Sequence, residues 1–149
     1  MSVLVDTNVL LRQLQPALAQ YRAAIDSVAR FLDNGEVVYF TSQNIAEFWN
    51  VVTRPVTNNG LGFSVAEALA EVEKIEGTLT LLPDSPAIYP EWRRLVVKHS
   101  VQGAKVHDTR LVAAMNVHGV GRILTFNAGD FTRFGINVLD PAVIAAMGA

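Results

Sequence analysis

The chain opens on a short apolar run, Ser2-Val3-Leu4-Val5, that stops at Asp6, the pattern of a strand buried on both faces. Asp6-Thr7-Asn8 supplies N-cap chemistry ahead of Val9, Leu10 and Leu11, so a short helix is expected next. From Pro16 to Leu32, the positions Leu18, Tyr21, Ile25, Val28, Ala29 and Leu32 keep helical spacing. A helix is predicted there, with Pro16 in its first turn and Asn34-Gly35 ending it. Val37–Phe40 reads as a second buried strand, after which Thr41 or Ser42 can cap a helix that Arg54-Pro55 stops. Residues 56–63, with Asn58-Asn59-Gly60-Leu61-Gly62, predict an exposed loop.

Ser64-Val65-Ala66-Glu67 is a capping box that opens a helix running to Gly77. The same logic predicts a strand over 78–82 and a helix from Ser85-Pro86 towards His99. Gln102-Gly103 then breaks the pattern before a helix from Asp108 to His118, closed by Gly119. Arg122–Thr125 and Asn137–Leu139 complete the strands, and a last helix starts at Pro141. Strands alternating with helices predict a single α/β domain over 1–149, with a mainly parallel, roughly five-stranded sheet. Ligands of such sheets bind beyond the carboxyl ends of the strands, where strand order reverses.

Composition narrows the chemistry. None of the 149 residues is Cys, which excludes thiolate catalysis, zinc-finger sites and iron–sulfur clusters. The first residues meet Asp6 before any long apolar run, so no secretory leader is expected. No apolar stretch approaches the roughly 20 residues of a membrane span. A soluble cytoplasmic protein without membrane attachment is the expectation. Net charge is −2, but the last 59 residues carry seven basic against four acidic side chains. Gathering four carboxylates around a divalent cation would turn −2 into +2, leaving a surface that tolerates a phosphate-bearing substrate.

Those carboxylates lie at chosen places. Asp6 ends the first strand, Asn127 and Asp130 follow the fourth, Glu47 rides the helix after the second, and Asp108 opens the helix before the fourth. Acids so gathered repel one another unless a hard cation neutralises them, and Mg²⁺ or Mn²⁺ prefers oxygen donors. Each acid also has a plainer role open to it. Asp6 can cap the short helix, Asp108 can oppose a helix dipole, Asp130 can hold a turn, and Glu47 can pair with Arg54. No Walker loop, dinucleotide fingerprint or serine-hydrolase elbow occurs, and His99, His107 and His118 lack zinc-site spacing. Asn8 stands where haloacid-dehalogenase-like phosphatases carry a second Asp.

The strings around the acids are more specific than the acids. Val3-Leu4-Val5-Asp6-Thr7-Asn8-Val9-Leu10-Leu11, Asn44-Ile45-Ala46-Glu47-Phe48-Trp49-Asn50-Val51, His107-Asp108-Thr109-Arg110-Leu111-Val112-Ala113-Ala114 and Ile123-Leu124-Thr125-Phe126-Asn127-Ala128-Gly129-Asp130-Phe131 follow one another in order. Together they resemble the motifs of PIN-domain ribonucleases, and the length is similar to the VapC-type toxins of type II toxin–antitoxin systems. The resemblance implies a three-layer α/β/α fold and a Mg²⁺- or Mn²⁺-dependent endoribonuclease cutting RNA. It further implies a homodimer held inactive by a small antitoxin protein. Asp6, Glu47 and Asp108 match the family's acids; Asp130 and Asn127 are the candidates for its fourth position, where many members carry an acid. Thr7, Asn8 and Thr125 are expected to orient Asp6. Arg54, the 58–62 loop, Lys105, Arg110 and Arg133 are candidates for holding backbone phosphates. A second reading is a catalytically weak relative that binds nucleic acid or a protein partner, and the uncharged Asn127 is the feature that supports it.

Overall fold

A computed structural model of the chain describes residues 1–147. Five strands, β1 (Ser2–Val5), β2 (Val37–Phe40), β3 (Thr80–Leu81), β4 (Arg122–Leu124) and β5 (Asn137–Leu139), pair in the order β3-β2-β1-β4-β5. Every pairing is parallel, with Leu4 opposite Tyr39 on one side and Ile123 on the other. The chain therefore builds outward from β1 to β3, then crosses back to lay β4 against the free side of β1. Strand order reverses between β1 and β4, so the crevice at their carboxyl ends is the switch point where open parallel sheets bind ligands.

Among the described residues, seven α-helices cover the sheet: α1 (Thr7–Arg12), α2 (Tyr21–Asp33), α3 (Ser42–Thr53), α4 (Val65–Thr78), α5 (Ile88–Lys98), α6 (Lys105–His118) and α7 (Pro141–Ala146). Side chains of β1 alternate between two cores, as the two-residue strand period requires. Val3 and Val5 join Val9, Val28, Phe31, Phe48 and Val72 on the face of α1–α4. Leu4 joins Leu95, Leu111, Met115, Ile123 and Phe131 on the face of α5 and α6. Two cores around one sheet make the expected three layers.

Several boundaries differ from the sequence pattern, each for a local reason. α2 starts at Tyr21, not Pro16, because Arg12 bonds Gln15 and Gln20 and holds residues 13–20 as turns. β2 buries Val38 and Phe40 but leaves Val37 exposed. α4 runs through Thr78 and shortens β3 to two residues. The Ser85 hydroxyl accepts the Ala87 N–H in a turn that delays α5 to Ile88. α6 begins three residues earlier than predicted, just after Gly103, whose φ of 64° breaks the preceding path. The 56–63 loop folds back on α3: its Leu61 and Phe63 N–H groups donate to the Val51 and Val52 carbonyls. A Cβ at Gly60 would stand 2.0 Å from the Arg54 carbonyl oxygen, so that close approach requires glycine.

Candidate active site

Asp6 is the pivot of the crevice. Its backbone N–H still belongs to the sheet, donating to the Leu124 carbonyl at 2.9 Å, while its side chain caps α1. One carboxylate oxygen accepts from the Thr7 N–H at 2.8 Å. The other accepts from the Thr125 hydroxyl at 2.8 Å and from Asn8 Nδ2 at 3.3 Å. The cap role and the site role are thus compatible. Asp6 is only 7% exposed, and burial pushes its carboxyl up to about 6 despite the hydrogen bonds from Thr125 and Thr7. Nearby Glu47 and Asp130 push it further in the same direction.

Thr125 joins the two central strands chemically. Its oxygen donates to Asp6 and accepts from Asn8 Nδ2 at 3.2 Å and from the Asn127 N–H at 3.0 Å. Asn8 returns the contact, accepting the Phe126 N–H at 3.3 Å. A four-residue lattice of Asp6, Asn8, Thr125 and Asn127 therefore locks the ends of β1 and β4 together.

Glu47 is held from the other side. The Thr7 hydroxyl donates to Glu47 Oε1 at 2.8 Å, and Asn44 Nδ2 donates to that hydroxyl at 3.0 Å. Asn44 is in turn fixed by the α3 capping box, where its Oδ1 accepts from the Thr41 N–H at 2.9 Å. Asn44 is fully buried, and the sequence pattern did not single it out. The Thr41-x-x-Asn44 spacing was the available signal, because a third-position Asn can close a capping box as Glu or Gln does. Arg54 does not pair with Glu47. It lies two helical turns beyond, and its Nη2 donates to the Asn59 carbonyl at 3.3 Å.

Asp108 sits in the first turn of α6, half-buried, and its carboxyl is also pushed up to about 6. Burial is the largest cause, followed by repulsion from Asp6, Asp130 and Glu47, with Lys105 opposing. Asp130 belongs to a 3₁₀ turn (Ala128–Asp130) after β4 and forms an ion pair with Lys105. The Asn127 side chain is exposed and makes no hydrogen bond among the described residues. The structure thus brings Asp6 and Asp108 within Coulombic reach of each other and of both Glu47 and Asp130, with the Asn127 N–H tied to Thr125 beside Asp6.

Of the basic candidates, Arg110 lies on the rim, donating to Gln43 Oε1 at 3.2 Å and to Asp84 at 3.4 Å. Ser42 donates to the same Asp84 at 2.6 Å, and Gln43 to the His107 carbonyl at 2.7 Å. Arg133 faces elsewhere, donating to the His99 carbonyl. Among the described residues, no three acids or histidines converge tightly enough to form a ready cation cage. The donor set nonetheless fits a small hard cation. It is all oxygen, mutually repelling, and needs only one or two direct carboxylate bonds for an ion that keeps several waters.

A family model for the PIN domain matches residues 3–137. Ribonuclease VapC48 of Mycobacterium tuberculosis is 32% identical over 148 residues, spanning 95% of this chain and 98% of that protein. Among solved structures, Mycobacterium tuberculosis VapC20, described as a sarcin–ricin-loop-cleaving toxin, superposes with a TM-score of 0.65 at 17% identity, over 90% of this chain and 95% of that one. VapBC-1 from nontypeable Haemophilus influenzae gives 0.68 at 13% identity, over 95% and 98%. At those identities the likeness is one of fold.

Proposed function

The chain belongs to the PIN-domain family, and on that premise we propose that it is a divalent-metal-dependent endoribonuclease, the toxin of a toxin–antitoxin pair. One observation carries the proposal. Asp6, Glu47, Asp108 and Asp130 come from four segments, yet Glu47 and Asp130 both act on Asp6, and these three act on Asp108, at the switch point of the sheet. The cost of assembling carboxylates there is offset by a bound cation, which also lets a phosphate-bearing substrate approach. Asp6, Glu47 and Asp108 would hold Mg²⁺ or Mn²⁺, with Asp130 and Asn127 competing for a fourth position. When bound, the ion supplies Lewis-acid charge for in-line displacement at phosphorus.

The chain's own residues do the positioning. Thr125, Asn8 and the Thr7 N–H fix both oxygens of Asp6, and Thr7 with Asn44 aims Glu47. Asp108 accepts no side-chain hydrogen bond among the described residues, which leaves both oxygens free for ion or water. Lys105 and Arg110 lie along the rim, where they can meet the phosphates flanking the cut; Arg54, bound to the 55–60 loop, is placed less well for that task. The uncharged Asn127 supports a weaker nuclease rather than none, because the three matching acids are all present.

The proposed partners follow from surface shape. A groove of about 570 Å³ between α1, α2 and α4 is lined by Leu10, Ile25, Val28, Leu32, Ile75 and Leu79. A twofold pair needs a self-complementary patch, whereas a concave apolar groove takes an inserted helix from a different chain. We assign the groove to the antitoxin, in keeping with the VapBC complexes among the structural neighbours. A homodimer is proposed separately; a monomer by light scattering at micromolar concentration would refute it. No helix among the described residues is long and apolar enough to cross a membrane, and the proposed site of action is the cytoplasm.

The test of the activity is cleavage of RNA by the purified chain with Mn²⁺ or Mg²⁺ and with EDTA. Cleavage that requires the ion and vanishes in Asp6→Asn is expected. Ion-independent cleavage, or full activity in Asp6→Asn, contradicts the proposal.

A further inference from the structure

On the β3 side of the same rim lies a second cavity, of about 320 Å³, lined by Ser85, Pro86, Ile88, Tyr89, Trp92 and Arg110. Its walls are tied to the acidic crevice. Trp92 Nε1 donates at 2.9 Å to the carbonyl of Val106, two residues before Asp108. Arg110, two residues after Asp108, is fixed by Gln43 and Asp84.

We propose that this cavity takes one unstacked nucleobase of the RNA strand being cut, an inference that presupposes the ribonuclease activity proposed above. Tyr89 provides the stacking face. The residue is 66% exposed, yet its ring is stacked against Trp92 at 6.2 Å between centroids and 26° between planes. A rigid aromatic open to solvent suits a base, since every base has a π-face. The volume sits at the small end of ligand pockets, about 300–1,000 Å³, which admits a base and excludes a helical segment of protein.

The charge around Tyr89 agrees. A neighbouring cavity of about 580 Å³ shares Tyr89 and is lined also by Arg93, Val97 and Lys98. Neither Arg93 nor Lys98 forms a salt bridge among the described residues. The nearby anions are already met: Glu91 by Arg94 and Asn116, Asp84 by Arg110 and Ser42. An aromatic flanked by Arg93 and Lys98, neither of them in a salt bridge among the described residues, in a chain of net charge −2, is a local pattern for single-stranded nucleic acid. Phosphates meet the cations and a base meets the ring.

The experiment measures Kd for a fluorescein-labelled single-stranded oligoribonucleotide by anisotropy in EDTA, for wild type, Tyr89→Ala and Tyr89→Phe. Light scattering is run on each, and wild-type RNA cleavage with Mn²⁺ on the same preparation. Tyr89→Ala is expected to bind about 5- to 150-fold more weakly, with Tyr89→Phe close to wild type and the molecular mass unchanged. If wild type cleaves RNA but Tyr89→Ala binds it equally well, the base site is refuted while the nuclease stands. A changed mass with unchanged RNA binding also refutes it, showing a protein interface instead. If wild type cleaves no RNA, the proposed activity fails and the base site, as assigned, fails with it.

Discussion

At the scale of single residues, the site is a set of charges held against their preference. Asp6 is taken from a carboxyl pKa of 3.8 to about 6 in the fold, so the native state binds more protons than the unfolded chain between about pH 4 and pH 6. Native stability from this group is therefore greatest below that window and is lost as pH rises through it. A shift of that size corresponds to about 3 kcal/mol at neutral pH. Asp108 shifts in the same direction. Glu91, which is held down to about 2 by Arg94, gives its stability above its unfolded value and keeps it at pH 5. Thermal melting should thus occur at higher temperature at pH 5 than at pH 7.5 when no divalent ion is added. Asp6→Asn should raise the neutral-pH melting temperature, by about 1–3 kcal/mol of stability, and shrink the pH effect. The gain falls short of the full shift because the new amide conflicts with the Asn8 donor.

The fourth position is open to the same treatment. Asn127 has its backbone on Thr125 and its side chain free, whereas Asp130 is engaged by Lys105. We expect one weakly held, ordered Mn²⁺ in the free protein. Asn127→Asp should tighten it by adding charge, and Asp130→Ala should loosen it if Asp130 can leave Lys105 for the ion. Calorimetric titration with Mn²⁺ separates the roles. Unchanged affinity in both variants would leave the site to three carboxylates.

At the scale of elements, caps do more than end helices. The Thr41–Asn44 box starts α3, and through Thr7 it also aims Glu47, six residues from the cap. Asn44→Ala should cost about 1–3 kcal/mol, from the lost cap and a buried hydroxyl left short of a partner. Cleavage should fall by more than the unfolded fraction explains, as measured by urea denaturation beside the RNA assay. Activity unchanged in the folded variant would show that Glu47 needs no such support.

The elements also show what sequence could carry. Short apolar runs of two to four residues located β1, β2, β4 and β5, and Ser64-x-x-Glu67 located the start of α4, because these signals are local. The start of α2 was not legible at Pro16, since Arg12 must reach Gln15 and Gln20 to hold the turn there. The role of Asn44 was not legible locally, because it rests on Thr7, 37 positions away. Arg110 was legible as a cation near Asp108, but its engagement by Asp84 depends on the β3–α5 turn lying beside α3.

At the scale of the whole molecule, topology explains why residues so distant in sequence share one crevice. Parallel strands send all their carboxyl ends to one rim, and the reversal between β1 and β4 opens that rim where Asp6 and Thr125 meet. α3 and α6 lie on opposite faces of the sheet, and the second turn of α3 and the first turn of α6 bring Glu47 and Asp108 in from the two sides. Asp6, Glu47 and Asp108 are thereby proposed to form one cation site. Its most direct test is anomalous scattering from crystals of the purified protein grown with Mn²⁺. One strong manganese peak is expected, bonded to Asp6 and Asp108, with Glu47 bonded to it or one water away. Manganese bound only elsewhere, or the three carboxylates ordered at saturating Mn²⁺ with no ion between them, would contradict it.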